Sequence, residues 1–171
     1  SAASDVYKRQ VGNMARARIL DACCGSRMFW YDRDNKYTVY QDNRELDTTL
    51  CDGRKLEIMP GIFGDFRKMI YADNYFDLVV FDPPHLLRAG QKSWIAQKYG
   101  VLPKTWKEDI AAGFRECFRV LRPFGTLIFK WNEEQIPFND VIKLAPELPL
   151  FGDKRGKTRW VVFCKGARAC D

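Results

Sequence analysis

Apolar positions along this chain fall into short continuous or alternating runs, broken by one long helical stripe. Residues 17–21 form an apolar run closing on Asp21, and residues 37–42 alternate through Thr and Val to Asp42. Residues 61–65 read as another short strand. Phe76-Asp-Leu-Val-Val-Phe81 is almost wholly apolar, the pattern of a central parallel strand buried on both faces. Asp52-Gly53, between 48–51 and 55–58, predicts a hairpin. Residues 106–121 place Ile110, Phe114, Cys117, Phe118 and Leu121 on one face of a helix. Thr105 and Glu108 have capping-box spacing at its start, and Arg122-Pro123-Phe124-Gly125 ends it. A strand follows at 126–131 and a short helix at 139–144. Residues 149–152 and 159–165 pair across a basic turn at 153–158. A helical turn is expected to carry Met28, Phe29 and Trp30. This order predicts an α/β fold built on a mostly parallel sheet with an antiparallel edge.

The chain has 171 residues, the size of one domain. Residues 1–10 show no period and resemble a translated adaptor sequence. Residues 1–13 are therefore set aside as a non-native or disordered extension, and residues 14–171 are read as a single domain. No apolar run is long enough to cross a bilayer, and no export signal is legible. Six cysteines without disulfide-scaffold or zinc spacing suggest a reducing compartment, the cytoplasm. A single histidine argues against a His-based metal site, so no metal is expected. The net charge of +6 is compatible with a polyanionic partner such as DNA or RNA, without requiring one.

Four aspartates, Asp21, Asp42, Asp65 and Asp82, end four predicted strands. Ligands of open α/β sheets bind beyond the carboxyl ends of the strands, so four such acids would line one crevice. Aspartate also favours turns for local reasons, so it is the ordered set that is informative. Asp21-Ala22-Cys23-Cys24-Gly25 reads as a strand and tight turn, where Gly25 lets a ligand approach the backbone. The chain lacks the glycine patterns of dinucleotide-binding and P-loop folds. Asp82-Pro83-Pro84-His85 is the sharpest signal. Two prolines fix the backbone and remove two donors, leaving carbonyl acceptors beside a carboxylate. Such a set suits a planar amino group, with His85 placed to stack on the ring that bears it.

In the order of these motifs, from about residue 17 to 165, the chain resembles the class I, Rossmann-like S-adenosylmethionine-dependent methyltransferases. It is also similar to small bacterial and phage methyltransferase-like proteins. The resemblance implies a three-layer sandwich with a seven-stranded sheet in the order 3-2-1-4-5-7-6. It implies S-adenosylmethionine as cofactor. Asp21, Ala22, Cys23 and Gly25 would bind its methionine end, Asp42 the ribose, and Asp65 and Phe66 the adenine. Asp82-Pro83-Pro84-His85 resembles the Asp/Asn-Pro-Pro-aromatic motif of amino-methyltransferases, which implies Asp82, Pro83, Pro84 and His85 as the catalytic set. The chain departs from the pattern in three places. Arg27 stands where a second glycine is usual, the first two strands are too close for a full helix, and residues 43–59 form a hairpin instead of a helix.

The expected reaction is methyl transfer to an exocyclic amine, on a base of DNA or RNA. A small molecule or a protein as acceptor, or a non-catalytic cofactor-fold subunit, are the alternatives. Trp94, Tyr99, Trp106 and Trp131 each fit either an aromatic pocket or core packing. Residues 91–103 read as a lid or a solvated loop. Lys130 either faces the cleft or lies on the surface. Lys154, Arg155, Lys157 and Arg159 either touch nucleic acid or form a charged hairpin tip.

Overall fold

The computed structural model describes residues 17–90 and 93–167; the extension at residues 1–13, Lys92 and Cys170 lie outside them. The strands are β1 (Ile19–Asp21), β2 (Thr38–Asp42), β3 (Leu46–Thr49), β4 (Lys55–Ile58), β5 (Ile62–Phe63), β6 (Phe76–Phe81), β7 (Leu121–Asn132), β8 (Phe151–Arg155) and β9 (Thr158–Cys164). The helices are α1 (Trp94–Tyr99), α2 (Trp106–Val120) and α3 (Phe138–Ile142). Seven strands form one sheet in the order β5-β2-β1-β6-β7-β9-β8, while β3 and β4 make a separate hairpin. Numbered along the chain, the sheet members run 3-2-1-4-5-7-6, as the resemblance implied. Neighbours are parallel from β5 to β7, and β9 is antiparallel to both β7 and the edge strand β8. The architecture is a mostly parallel, Rossmann-like three-layer α/β sandwich.

The apolar run of β6 occupies the middle of the sheet, between β1 and β7, with Phe76, Val79 and Phe81 fully buried. The stripe on α2 packs onto this centre. Phe114 stands edge-on to Phe81 and 4.8 Å from the ring of Phe129, and Phe118 meets Phe163 edge-on. Gly113 sets how closely the helix approaches: a Cβ there would lie 2.6 Å from Phe81 and 2.7 Å from Phe66. Burying these rings contributes to the driving force for the fold, at roughly 25 cal/mol per Å² of apolar surface. The opposite face carries a much thinner layer, in which Phe29 and Trp30 rest on Trp160 and Tyr40.

Four local expectations are corrected. Thr105 and Glu108 form no capping box, because Thr105 has ψ near 17° and its hydroxyl donates to Asp109 instead. Met28, Phe29 and Trp30 sit on consecutive turns closed by Arg27 N–H to Cys24 O and Trp30 N–H to Arg27 O, not on a helix. The strand expected from residue 126 starts at Leu121, which pairs with Phe76, so the Pro123 segment belongs to β7. Residues 91–103 are not all loop, since α1 lies within them, capped by Ser93 Oγ accepting from Ile95 N–H. Among the described residues no helix is long and apolar enough to cross a membrane.

Candidate active site

The carboxyl ends of β1, β2 and β6 converge on a crevice closed on its far side by α1. Three adjoining compartments make up this crevice. One is lined by Ala22, Asp42, Gly64, Phe66 and Pro84. The next is lined by Cys24, Gly25, Phe29 and Pro83. The third, about 250 Å³, lies beyond His85 between Trp94, Asn132 and Thr158. Cys23 and Arg44 line the first two, and His85 and Lys130 the second and third. Asp82 and Tyr99 line all three.

Each acid is held differently. Asp21 is fully buried beneath the first turn. Its carboxylate accepts from Cys23 N–H at 3.3 Å and from Trp30 Nε1–H at 2.7 Å. Burial pushes its pKa up to about 7; the Trp30 hydrogen bond opposes this, and repulsion from Asp82 and Asp42 adds to it. Asp21 thus braces the turn that carries Ala22, Cys23 and Gly25. Asp42 is also buried, and it accepts from Gly25 N–H at 2.9 Å. Asp65 does not line the three compartments. Its carboxylate is taken by Arg67, which also reaches Asp109 at 3.1 Å, holding Asp65 below the usual carboxylate range. Its neighbour Phe66 does line the crevice, tilted against Phe81.

Asp82 sits just past the end of β6, where its Oδ2 accepts from Lys130 Nζ at 2.7 Å. Burial raises the Asp82 pKa and the Lys130 charge pulls it back. The Lys130 ammonium is flanked by the rings of Phe29 at 5.4 Å and Trp160 at 5.6 Å. Lys130 therefore faces the cleft. Burial, reinforced by the nearby Lys130 charge, lowers the His85 pKa to about 4, so its ring is neutral at physiological pH. That ring lies 5.3 Å from Tyr99.

Structure separates the four aromatic candidates. Trp131 is fully buried in the core, with Nε1–H donating to Ile136 O, and Trp106 packs against the same core. Trp94 and Tyr99 line the third compartment. The basic turn expected at 153–158 is mostly strand, since β8 runs to Arg155 and β9 starts at Thr158. Its charges are matched, with Lys154 and Arg159 on Glu133 and Lys157 on Glu134. Sequence reasoning missed Trp30 and Arg44 as members of this site. Trp30 reaches Asp21 from nine residues away with no local pattern to mark it. Arg44, by contrast, stands two residues after Asp42 in an Asp-x-Arg pattern shared by Asp65 and Arg67, a signal that could have found it.

No protein-family model matches the chain, and no curated protein sequence matches it. Solved structures do share its fold. The PH0226 protein from Pyrococcus horikoshii superposes with a TM-score of 0.59 at 17% identity, over 88% of this chain and 82% of its own. A TehB-like S-adenosylmethionine-dependent methyltransferase from Corynebacterium glutamicum gives 0.50 at 17% identity, over 92% and 85%. A Leishmania major S-adenosylmethionine-dependent methyltransferase gives 0.50 at 13% identity, over 88% and 66%. The likeness to these structures is one of fold.

Proposed function

We propose that this protein is an S-adenosylmethionine-dependent methyltransferase that acts on an exocyclic amino group, on a base of DNA or RNA. One observation carries the reading: Asp82 stands where all three compartments of the crevice meet. A group at that junction touches both a cofactor in the first two and an acceptor in the third.

The residues present fit the cofactor. Phe66 and Gly64 offer a flat apolar seat for a ring, Asp42 an acid for hydroxyls, and the Asp21-braced turn through Ala22, Cys23 and Gly25 a backbone cradle. Asp65, tied to Arg67, would reach the adenine only after releasing that partner. The cofactor supplies an electrophilic methyl group when bound. Asp82 and the carbonyls of the Pro83-Pro84 segment accept the two hydrogens of the acceptor amine and aim its lone pair. The neutral His85 ring and Tyr99 pack on the plane that carries the amine. Transfer of the methyl group to the nitrogen, with its bond to the cofactor's sulfur breaking and S-adenosylhomocysteine leaving, would put a surplus proton on the amine, which Asp82 is placed to receive. Holding two reactants in register supplies much of the rate of such a transfer. The third compartment, slightly below the roughly 300–1,000 Å³ of whole small-molecule sites, suits a single ring. All five described cysteines are free, in keeping with a reducing compartment such as the cytoplasm.

Incubation with methyl-labelled cofactor, followed by fractionation of DNA, RNA, protein and small metabolites, tests this reading. Label on amino nitrogens of bases is the expected result. Label confined to protein or metabolites would replace the acceptor, and no label in any fraction would end the enzymatic reading.

A further inference from the structure

Arg44 stands two residues after Asp42, and its side chain lines the first two compartments of the crevice. The Asp42 carboxylate is saturated by protein donors. Oδ1 accepts from Arg44 N–H and Arg44 Nε–H, both at 3.0 Å. Oδ2 accepts from Gly25 N–H at 2.9 Å and Arg44 Nη2–H at 3.4 Å. The same guanidinium reaches the other wall, where Nη1–H donates to Gln97 O of α1 at 3.3 Å. Two glycines face it: a Cβ on Gly25 would stand 4.0 Å from Nη2, and one on Gly100 3.6 Å from Nη1. Only 30% of the Arg44 side chain is exposed.

We infer that Arg44 is a latch. Its guanidinium occupies the hydroxyl-binding side of Asp42 and ties the segment after β2 to α1, so cofactor entry requires it to let go. This inference rests on the proposed cofactor reading for Asp42. A buried carboxylate with four donors has no acceptor site left for a ribose diol, so the diol and the guanidinium compete for the same oxygens. The Arg44 backbone N–H and Gly25 N–H stay on Asp42 when the side chain leaves, so the acid remains placed. Release also removes the Arg44 hydrogen bond to Gln97 O of α1. Cofactor binding and the position of Tyr99, on α1, are thereby coupled.

Two readouts on wild type, Arg44→Ala and Arg44→Lys test the latch. Thermal melts confirm that each variant is folded. Calorimetric titration with S-adenosylhomocysteine is expected to show tighter binding in R44A, by about tenfold, the equivalent of one charge-assisted contact that no longer has to be broken. R44K, with a point charge instead of a fork, should fall between the two. Equal or weaker binding by R44A overturns the latch. Hydrogen exchange without cofactor is the second readout. The α1 amides of R44A should exchange faster than those of wild type, and unchanged exchange overturns the link to α1. If none of the three proteins binds the nucleoside, the cofactor reading fails, and the exchange result still decides the link to α1. R44K also covers the case in which R44A melts below the assay temperature.

Discussion

The two faces of the sheet are built to different ends. On one, Leu20, Val79, Phe81, Leu127, Phe129 and Phe163 have no exposed surface and are sealed by α2. On the other, Ile19, Leu78, Ile128 and Val162 stay half-buried, and the cover over the strand ends is the short aromatic segment of Phe29 and Trp30. Stability is concentrated where packing is continuous. The acids, by contrast, gather at the strand ends, where covering is thin and a ligand can enter. Asp21 and Asp82 keep raised pKa values there, a cost the sealed side makes tolerable.

Changes on either side should have separable effects. Asp82→Ala should lower methyl transfer by roughly 10³-fold, as loss of a group aimed at the reacting atoms does. It should leave the chemical-denaturation midpoint close to wild type, since Lys130 is near enough to solvent to be hydrated. A large fall in stability with residual activity would make Asp82 structural. Phe114→Ala on the sealed face should do the reverse, removing about 3–5 kcal/mol in denaturant titrations. A loss under 1 kcal/mol would mean that α2 is not the main clamp.

Asp21→Asn sharpens the contrast through pH. The native pKa of Asp21, about 7, lies above that of an unfolded aspartate. Its protonated form therefore adds stability at low pH, and this is lost as pH rises from about 4 to 7. The variant should melt near wild type at pH 4 and a few degrees higher at pH 8, as followed by circular dichroism. A difference constant across that range would contradict a buried, titrating Asp21. The smallest effect is expected at the start of α2. Thr105→Ala should cost less than about 0.5 kcal/mol, half a typical cap, because no side-chain cap bond forms there.

Much of this frame was legible in the residues. β6 ends where its apolar run ends, because a central parallel strand needs no polar face. The hairpin follows from Asp52-Gly53, and α2 from a stripe long enough to overcome helix nucleation. α1 was not legible: six residues are too few to nucleate alone, and it depends on the Ser93 cap and on packing over the crevice. The capping-box spacing misled for a related reason, since Asp109 competes for the Thr105 hydroxyl. Within the site, Asp21, Asp42 and Asp82 were found from their places at strand ends. Asp65 obeys the same rule but lines none of the three compartments, and Arg67 pairs with it as Arg44 does with Asp42. Trp30 was not legible, because its partner is set by the fold, whereas Arg44, two residues after Asp42, follows the same Asp-x-Arg pattern as Asp65 and Arg67.

The central claim is that the crevice at Asp42 and the Asp21 turn binds S-adenosylmethionine. Isothermal titration of the wild-type protein with that cofactor tests it most directly. One-site saturable binding, weakened at least tenfold by Asp42→Ala, is the predicted result. Absence of binding heat at any temperature tried, or binding unaffected by Asp42→Ala, would contradict it.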